Sequence, residues 1–459
     1  MVLLSFIFQQ YYIDSEKHKL HVIMQLSAKN RRKKERIKWS DVNLRISDAH
    51  FRRMFRMSRP CFQLLCQKII SKVGEKKFKS EQYIDAFLVH TDNPLHSRSA
   101  SMHSAHVQIS GGYVCGEVKL GITLRMMAGG DALDLGALFD ISPNWCKEIF
   151  YSVLIEWVLD INLGGMDVID HLSNKEKLER VSRVFSARSN GVLKGAIGAI
   201  DGWLVKIVKP NSLSDKVKNI VGFFSRKGLY ALNVQCMVDH QKKVLWASFD
   251  NRGASHDSSV FRGTNFYTLL KEKSDELFAS GYFILGDSAY AIESFILPPY
   301  DNVGQNTPKD DYNFFQSSAR ITVECAFGEI DLRWGIFWKR LNNSLEHNIM
   351  ICDAAFHLHN FLVDYRNSLE DDGVEVSLGR SIFVDDICDQ GVFNTVVLND
   401  NQRLGGRPSN AEKQRRLNGL ALRDYLRDQL QNHNMHRARK DTNGEWTYDR
   451  SHHIHMTNE

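Results

Sequence analysis

No apolar run in this 459-residue chain reaches the length of a bilayer-spanning helix, so no membrane partner is expected. The first residues, MVLLSFIFQQYYI, are apolar but short and have no basic stretch ahead of them, which argues against a signal peptide. Eight cysteines form no CxxC pair and no dense framework. They read as reduced core or surface thiols, and Cys325, beside Glu324, needs no catalytic role. Charge of one sign is not abundant either, at a net +5. What is present is ordinary for a globular protein, with 43% apolar and 25% charged residues. The length allows two or three domains, each with its own core.

Charge is more informative by position than in sum. Between Lys29 and Lys38 seven basic residues stand against one acid. Such a run suits phosphate contact or nuclear import, and equally a solvated tether. Arg31, Arg32, Lys33 and Lys34 are its candidate DNA contacts, within a basic, weakly ordered segment expected over residues 1–47.

Residues 48–190 read as helical. FRRMFRMSRPCFQLLCQKII, between Asp48 and Gly74, spaces its apolar residues three and four apart. A His- and Ser-rich stretch from Thr91 to Gln108 reads as a linker or loop, and a helix over Glu117 to Met127 ends at Gly129-Gly130. A short helix over Leu133 to Phe139, a turn over Asp140 to Ser142 and a helix opening with Pro143 then fit a helix-turn-helix. Ser142 suits the N-cap. The second helix offers Lys147 to DNA, but its Trp145, Ile149, Phe150 and Leu154 equally suit a packed core helix.

The middle of the chain changes to strands. Ala196–Val208 is the first, and Gly228–Val238 with Lys243–Phe249 reads as a hairpin about Asp239–Lys242. A helix from Asp257 to about Ser274, a short strand over Tyr282–Leu285, and helices over Phe315–Trp334 and Leu345–Tyr365 follow. This order predicts an α/β fold over 191–368, a ribonuclease-H-like mixed sheet with flanking helices. An acidic peripheral segment is expected over 369–400, and a basic helix and tail over 401–459. There Gly405-Gly406-Arg407-Pro408 suits either an arm in a minor groove, through Arg407, or a plain turn before a helix over Asn410–Leu430.

Three acids stand out against this frame. Asp201 interrupts the apolar run GAIGAIDGWLVKI, where a charge is costly to bury unless paired or metal-bound. Asp287 ends the apolar strand of GYFILGDSAY, and Glu324 lies in the helical ARITVECAFGEIDLRW. Two strand-borne carboxylates and one on a facing helix could hold two divalent ions for phosphoryl transfer, with Mg²⁺ or Mn²⁺ suiting such hard oxygens. Gly198 and Gly202 would leave room for a phosphate backbone. The plainer reading pairs Glu324 with Arg320 and makes Asp201 a strand-end residue.

The stretches AIDGWLVKI, SRKGLYALNVQCMVD, GASHDSSVF, LGDSAY with LPPY, ARITVECAFGEIDLRW and AAFHLHNFL, in that order over about 195–365, resemble the catalytic domain of PIF/Harbinger-type DDE transposases and their domesticated nuclease-like relatives. FRMSRPCFQLL and LGITLRMMAGGDALDLGALFDIS resemble that family's helical N-terminal part. The resemblance implies that Asp201, Asp287 and Glu324 are the catalytic and metal-holding triad, with two ions in the substrate complex. It implies that His256 and Asp257 form the site rim, where Asp257 alternatively caps a helix. It further implies cleavage of double-stranded DNA at terminal inverted repeats, strand transfer, and a Myb/SANT-like partner protein. A nuclear location is expected, compatible with a cytoplasmic pool and with a homo-oligomer. Arg320 and Arg333 are candidate DNA contacts or salt-bridge partners. The chain departs from the family pattern at Trp203-Leu204, where a small residue and His are usual. The competing readings are a catalytically silent DNA-binding or protein-interaction factor, and a ribonuclease on the same fold.

Overall fold

Cap residues and glycines set where the helices of the N-terminal half begin and end. The computed structural model describes residues 39–78, 114–211, 218–371 and 409–437. The basic run with Arg31, Arg32, Lys33 and Lys34, the Thr91–Gln108 stretch, the acidic 372–400 segment and Arg407 lie outside the described residues. Helices α1 (Trp39–Arg45), α2 (Asp48–Phe55), α3 (Arg59–Val73) and α4 (Glu75–Phe78) come first. The single helical stretch expected from Asp48 breaks because Arg56 is left-handed, with φ 61°, and Ser58 restarts the helix by accepting from the Cys61 N–H.

Helices α5 (Gly116–Met127), α6 (Ala132–Phe139) and α7 (Pro143–Leu154) follow, with α7 running into a π-helical turn over Ile155–Leu159. The Ser142 hydroxyl caps α7, accepting from the Trp145 N–H at 3.2 Å. One face of α7 buries Cys146, Ile149, Phe150, Val153 and Leu154, while Asn144 and Lys147 stay exposed. Helices α8 (Val168–Ser173) and α9 (Lys175–Ala187) lead into the sheet.

The sheet has the order β3-β2-β1-β4-β5. Strand β1 (Ala196–Lys206) pairs antiparallel with β2 (Ala231–Val238), which pairs antiparallel with β3 (Val244–Arg252). On its other side β1 runs parallel to β4 (Phe283–Leu285), and β4 to β5 (Ile296–Leu297). This is the ribonuclease-H-like mixed sheet expected. Strand β5 was not expected, since two residues carry no periodic signal. The helix expected from Asp257 is three: α10 (Asp257–Arg262), α11 (Asn265–Glu272) and α12 (Ser274–Ala279). Thr264 starts the second by accepting from the Tyr267 N–H.

Helix α13 (Pro308–Arg333) starts seven residues before the expected Phe315, because Thr307 caps it and Pro308 fits its first turn. A 3₁₀ turn (Gly335–Trp338), α14 (Leu345–Asp371) and α15 (Asn410–Asn432) complete the order. Among the described residues no helix is long and apolar enough to cross a membrane.

Alternation along the strands, offset in β1 by an irregularity between Ala196 and Gly198, separates two cores. Ile197, Ile200, Met237 and Ile284 face the side holding Phe261, Phe266 and Leu270 of α10 and α11. Ala199, Val205, Val234, Cys236 and Leu285 face α13 and α14. That second cluster continues into the N-terminal helices through Phe55, Leu124 and Trp157. The two parts meet closely where Gly335 crosses the end of α5: a Cβ on Gly335 would lie 2.5 Å from the Ala128 carbonyl oxygen. Gly335→Ala is therefore expected to lower stability by about 1–3 kcal/mol. An unchanged melting midpoint would show that the backbones do not pass this closely.

Candidate active site

The alternation that buries Ala199 and Val205 of β1 also turns Asp201 and Trp203 toward α13. Helix α13 meets them with residues four apart, Gln316, Arg320 and Glu324, on one stripe. Arg320 joins the elements: Nη1 donates to Asp201 Oδ2 at 2.9 Å, and Nη2 reaches Glu324 Oε1 at 2.7 Å. Gln316 Nε2 donates to the Gly286 carbonyl at 2.7 Å and the Leu297 carbonyl at 3.1 Å, which holds the loop carrying Asp287. The Asp287 carboxylate is folded onto that loop, accepting from the Ala289 N–H at 2.9 Å.

A fourth acid enters from the other side. Asp257 is the first residue of α10, and its side chain accepts from Asn233 Nδ2 and Gln235 Nε2, each at 2.7 Å. Its carboxylate is thus engaged by strand β2. Tyr290 donates its hydroxyl to Gln235 Oε1, so Tyr290, Gln235 and Asp257 form a hydrogen-bonded chain. Gly202 must lack a side chain here. A Cβ on it would lie 2.6 Å from Asp257 Oδ1 and 2.6 Å from Gln235 Nε2. A Cβ on Gly198 would likewise meet Met237. These glycines admit protein groups, and not the phosphate backbone expected at them.

The electrostatics follow from crowding. Burial raises the Asp201 carboxyl above its ordinary value, and the charges of Asp287 and Asp257 add to this against Arg320 and the Gly202 N–H. Asp287 is raised too, chiefly by burial, with Arg320 opposing and Asp257 and Glu324 adding. Burial works against the Arg320 guanidinium, yet Asp201, Glu324 and Asp287 hold its pKa above that of an ordinary arginine. The Tyr290 phenol is pushed well up by burial and by the nearby Asp257, Asp201 and Asp287.

The structure therefore draws Asp201, Asp287 and Glu324 around one guanidinium, with Asp257 close to Asp201 and Asp287. His256 directly precedes α10, at its N-cap position, without a side-chain cap bond. Arg333 turns inward and donates to the Arg56 carbonyl at 3.2 Å. Lys147 lies on α7, among the helices before the sheet. Asn233, Gln235 and Tyr290 were not anticipated. Their signal was available, since Asn233 and Gln235 interrupt the buried strand ALNVQCMV as Asp201 interrupts its own.

The carboxylates suit a divalent ion chemically, as hard oxygen donors. Among the described residues, however, no group of three or more His, Cys, Asp or Glu side chains stands in metal-binding geometry. Arg320 bonds one oxygen each of Asp201 and Glu324, so a cation of the protein's own already balances that pair.

Acids from β1, from the loop after β4 and from α13 thus meet on a ribonuclease-H-like sheet. Residues 200–360 match the DDE superfamily endonuclease family. Over 269 residues the chain is 24% identical to Protein ALP1-like of Arabidopsis thaliana, covering 55% of this chain. It spans 62% of the length of that relative. No solved structure matches. The two matches support the resemblance of this region to PIF/Harbinger-type DDE transposases.

The raised Asp201 carboxyl has a consequence for stability. Its proton is held by the folded chain and lost from the unfolded one, so stability falls as pH climbs from the ordinary aspartate range to the raised folded value. Asp201→Asn is expected to stabilise the metal-free protein by about 0.5–2 kcal/mol at pH 8. The gain should shrink toward zero near pH 4.5. Urea unfolding at the two pH values checks this, and equal gains at both would refute the buried-carboxyl account.

Proposed function

We propose that the protein is a divalent-metal-dependent DNA endonuclease that cleaves double-stranded DNA at transposon terminal inverted repeats and transfers the freed strand. The observation that carries this reading is the convergence of Asp201, Asp287 and Glu324 from β1, the end of β4 and α13 onto Arg320. Asp201, Asp287 and Glu324 would hold Mg²⁺ or Mn²⁺, which when bound supplies Lewis-acid support to an attacking and a leaving oxygen.

The chain's own groups prepare that site. Gln316 fixes the loop that presents Asp287, and Gln235 with Asn233 fixes Asp257 beside Asp201. When Arg320 gives up its carboxylates, its guanidinium is free to take a phosphate oxygen in the same place, where two N–H groups match two oxygens. Phosphate contact of this kind positions DNA without selecting sequence. A nuclear location and a separate DNA-binding partner protein belong to the same proposal.

A catalytically silent DNA-binding factor is the second reading, and the Arg320 bridge across Asp201 and Glu324 favours it. Nicking of supercoiled plasmid with Mn²⁺ separates the two. Wild type should nick, while Asp287→Asn and Glu324→Gln should each fall by about a hundredfold or more, since even outer-shell partners of metal ligands are worth about 10–100-fold. Equal nicking by all three would sink the site assignment. DNA binding with no nicking by wild type, across both Mg²⁺ and Mn²⁺, would establish the silent factor.

A further inference from the structure

A recess of about 380 Å³ opens beside the acids, between the end of β1, α13 and the 3₁₀ turn. Its walls include Trp203, Phe327, Phe337 and Trp338, with Lys206 and Asp331 as its charged groups. Trp203 lies against Phe327 with ring centroids 5.8 Å apart and meets Phe337 edge-on at 5.1 Å. Trp338 is different, being 57% exposed. Its indole N–H donates to the Asp331 carbonyl at 2.8 Å, which fixes the ring, and the Arg56 guanidinium lies 5.6 Å from the ring centroid. The ring is thus held in place, with Arg56 over one face and more than half of its surface exposed.

Gly328 adds an independent observation. It sits inside the 26-residue α13, where glycine costs about 1 kcal/mol relative to alanine. Packing does not require it, because a Cβ there would meet nothing within 4 Å. The missing side chain keeps the recess open. Nearby charge is basic on the outside, with Lys206, Lys339 and Arg340 exposed. Inside, burial raises the Asp331 carboxyl while Lys206 opposes.

Position relates the recess to the acids. Trp203 is two residues beyond Asp201 on the same face of β1, about 7 Å at the usual strand rise. Gly328 is one turn beyond Glu324, about 6 Å along α13. A strand whose phosphate lay at the carboxylates would bring its neighbouring nucleotide to the mouth of the recess.

We propose that this recess receives one unstacked nucleobase of a bound DNA strand, which stacks on Trp338 and is read at its edge by Asp331. The inference rests on the nucleic-acid reading of the site above. It adds a base-binding subsite to that reading. Aromatic faces accept any base, whereas a carboxylate accepts from the amino group of cytosine or adenine and has no donor to meet at that position on thymine. The basic exterior suits the flanking phosphates.

Fluorescence anisotropy of the full-length protein with labelled oligo-dC, oligo-dT and an abasic strand of equal length, in EDTA, tests this without cleavage. Wild type should bind oligo-dC about tenfold or more tighter than the abasic strand, in line with base stacking worth about 1–3 kcal/mol. It should also prefer oligo-dC to oligo-dT. Trp338→Ala and Gly328→Leu should remove the preference for bases and leave abasic affinity as it was. Gly328→Leu fills the recess with a better helix former, so its fold should be kept or strengthened. Asp331→Asn should narrow the gap between oligo-dC and oligo-dT. Equal wild-type affinity for base-bearing and abasic strands overturns the subsite, as does a folded Gly328→Leu that keeps the preference. Either result leaves the carboxylate assignment standing. Failure to bind any strand overturns the subsite and the nucleic-acid reading together.

Discussion

One guanidinium among three carboxylates, with a fourth close behind, organises the centre of this protein. Arg320 reaches Asp201 with one nitrogen and Glu324 with the other, while Asp287 and Asp257 add negative charge close by. Four acids drawn together in a largely buried space repel one another, and a counter-charge is needed before the sheet and α13 can close on them. The arginine supplies it from within the chain. The rest of the site, from the loop held by Gln316 to the chain through Gln235 and Tyr290, is built around that balance.

Helix α13 works as a ruler along this region. Its residues at four-step spacing take successive roles: Gln316 holds the Asp287 loop, Arg320 and Glu324 stand at the acids, and Gly328 leaves the aromatic recess open. Strand β1 runs beside it and places Asp201 and Trp203 against the corresponding levels. Trp203, the departure from the family pattern, therefore packs against Phe327 and Phe337 on the same face as the acid, a concrete account of what the substitution does.

Much of the fold was legible where the signal was local. Asp201 stood out because an acid in an apolar strand demands a partner, and the turn into α7 was readable from Ser142 and Pro143. The hairpin between β2 and β3 was equally clear. Strand β5 was not, because a two-residue strand is defined by the neighbour it pairs with. Asp257 was read as a rim residue or helix cap, and its engagement by Asn233 and Gln235 depends on β2 lying opposite, which no local pattern encodes. The bond of Arg320 to Glu324 follows from helical spacing, whereas its bond to Asp201 crosses 119 positions of chain.

The C-terminal helix has a different consequence. Strand β5 is an outer strand of the sheet, and an outer strand normally offers unpaired backbone groups to any passing chain. Helix α15 lies against this side: Gly419 approaches so closely that a Cβ would be 2.5 Å from the Glu293 carbonyl oxygen. Arg423 donates to the Pro298 and Pro299 carbonyls immediately after β5, and Arg415 pairs with the buried Glu293 at 2.8 Å. The sheet thus ends in guanidinium side chains and two prolines that cannot donate, which denies a foreign strand the template it would need to extend the sheet into an aggregate.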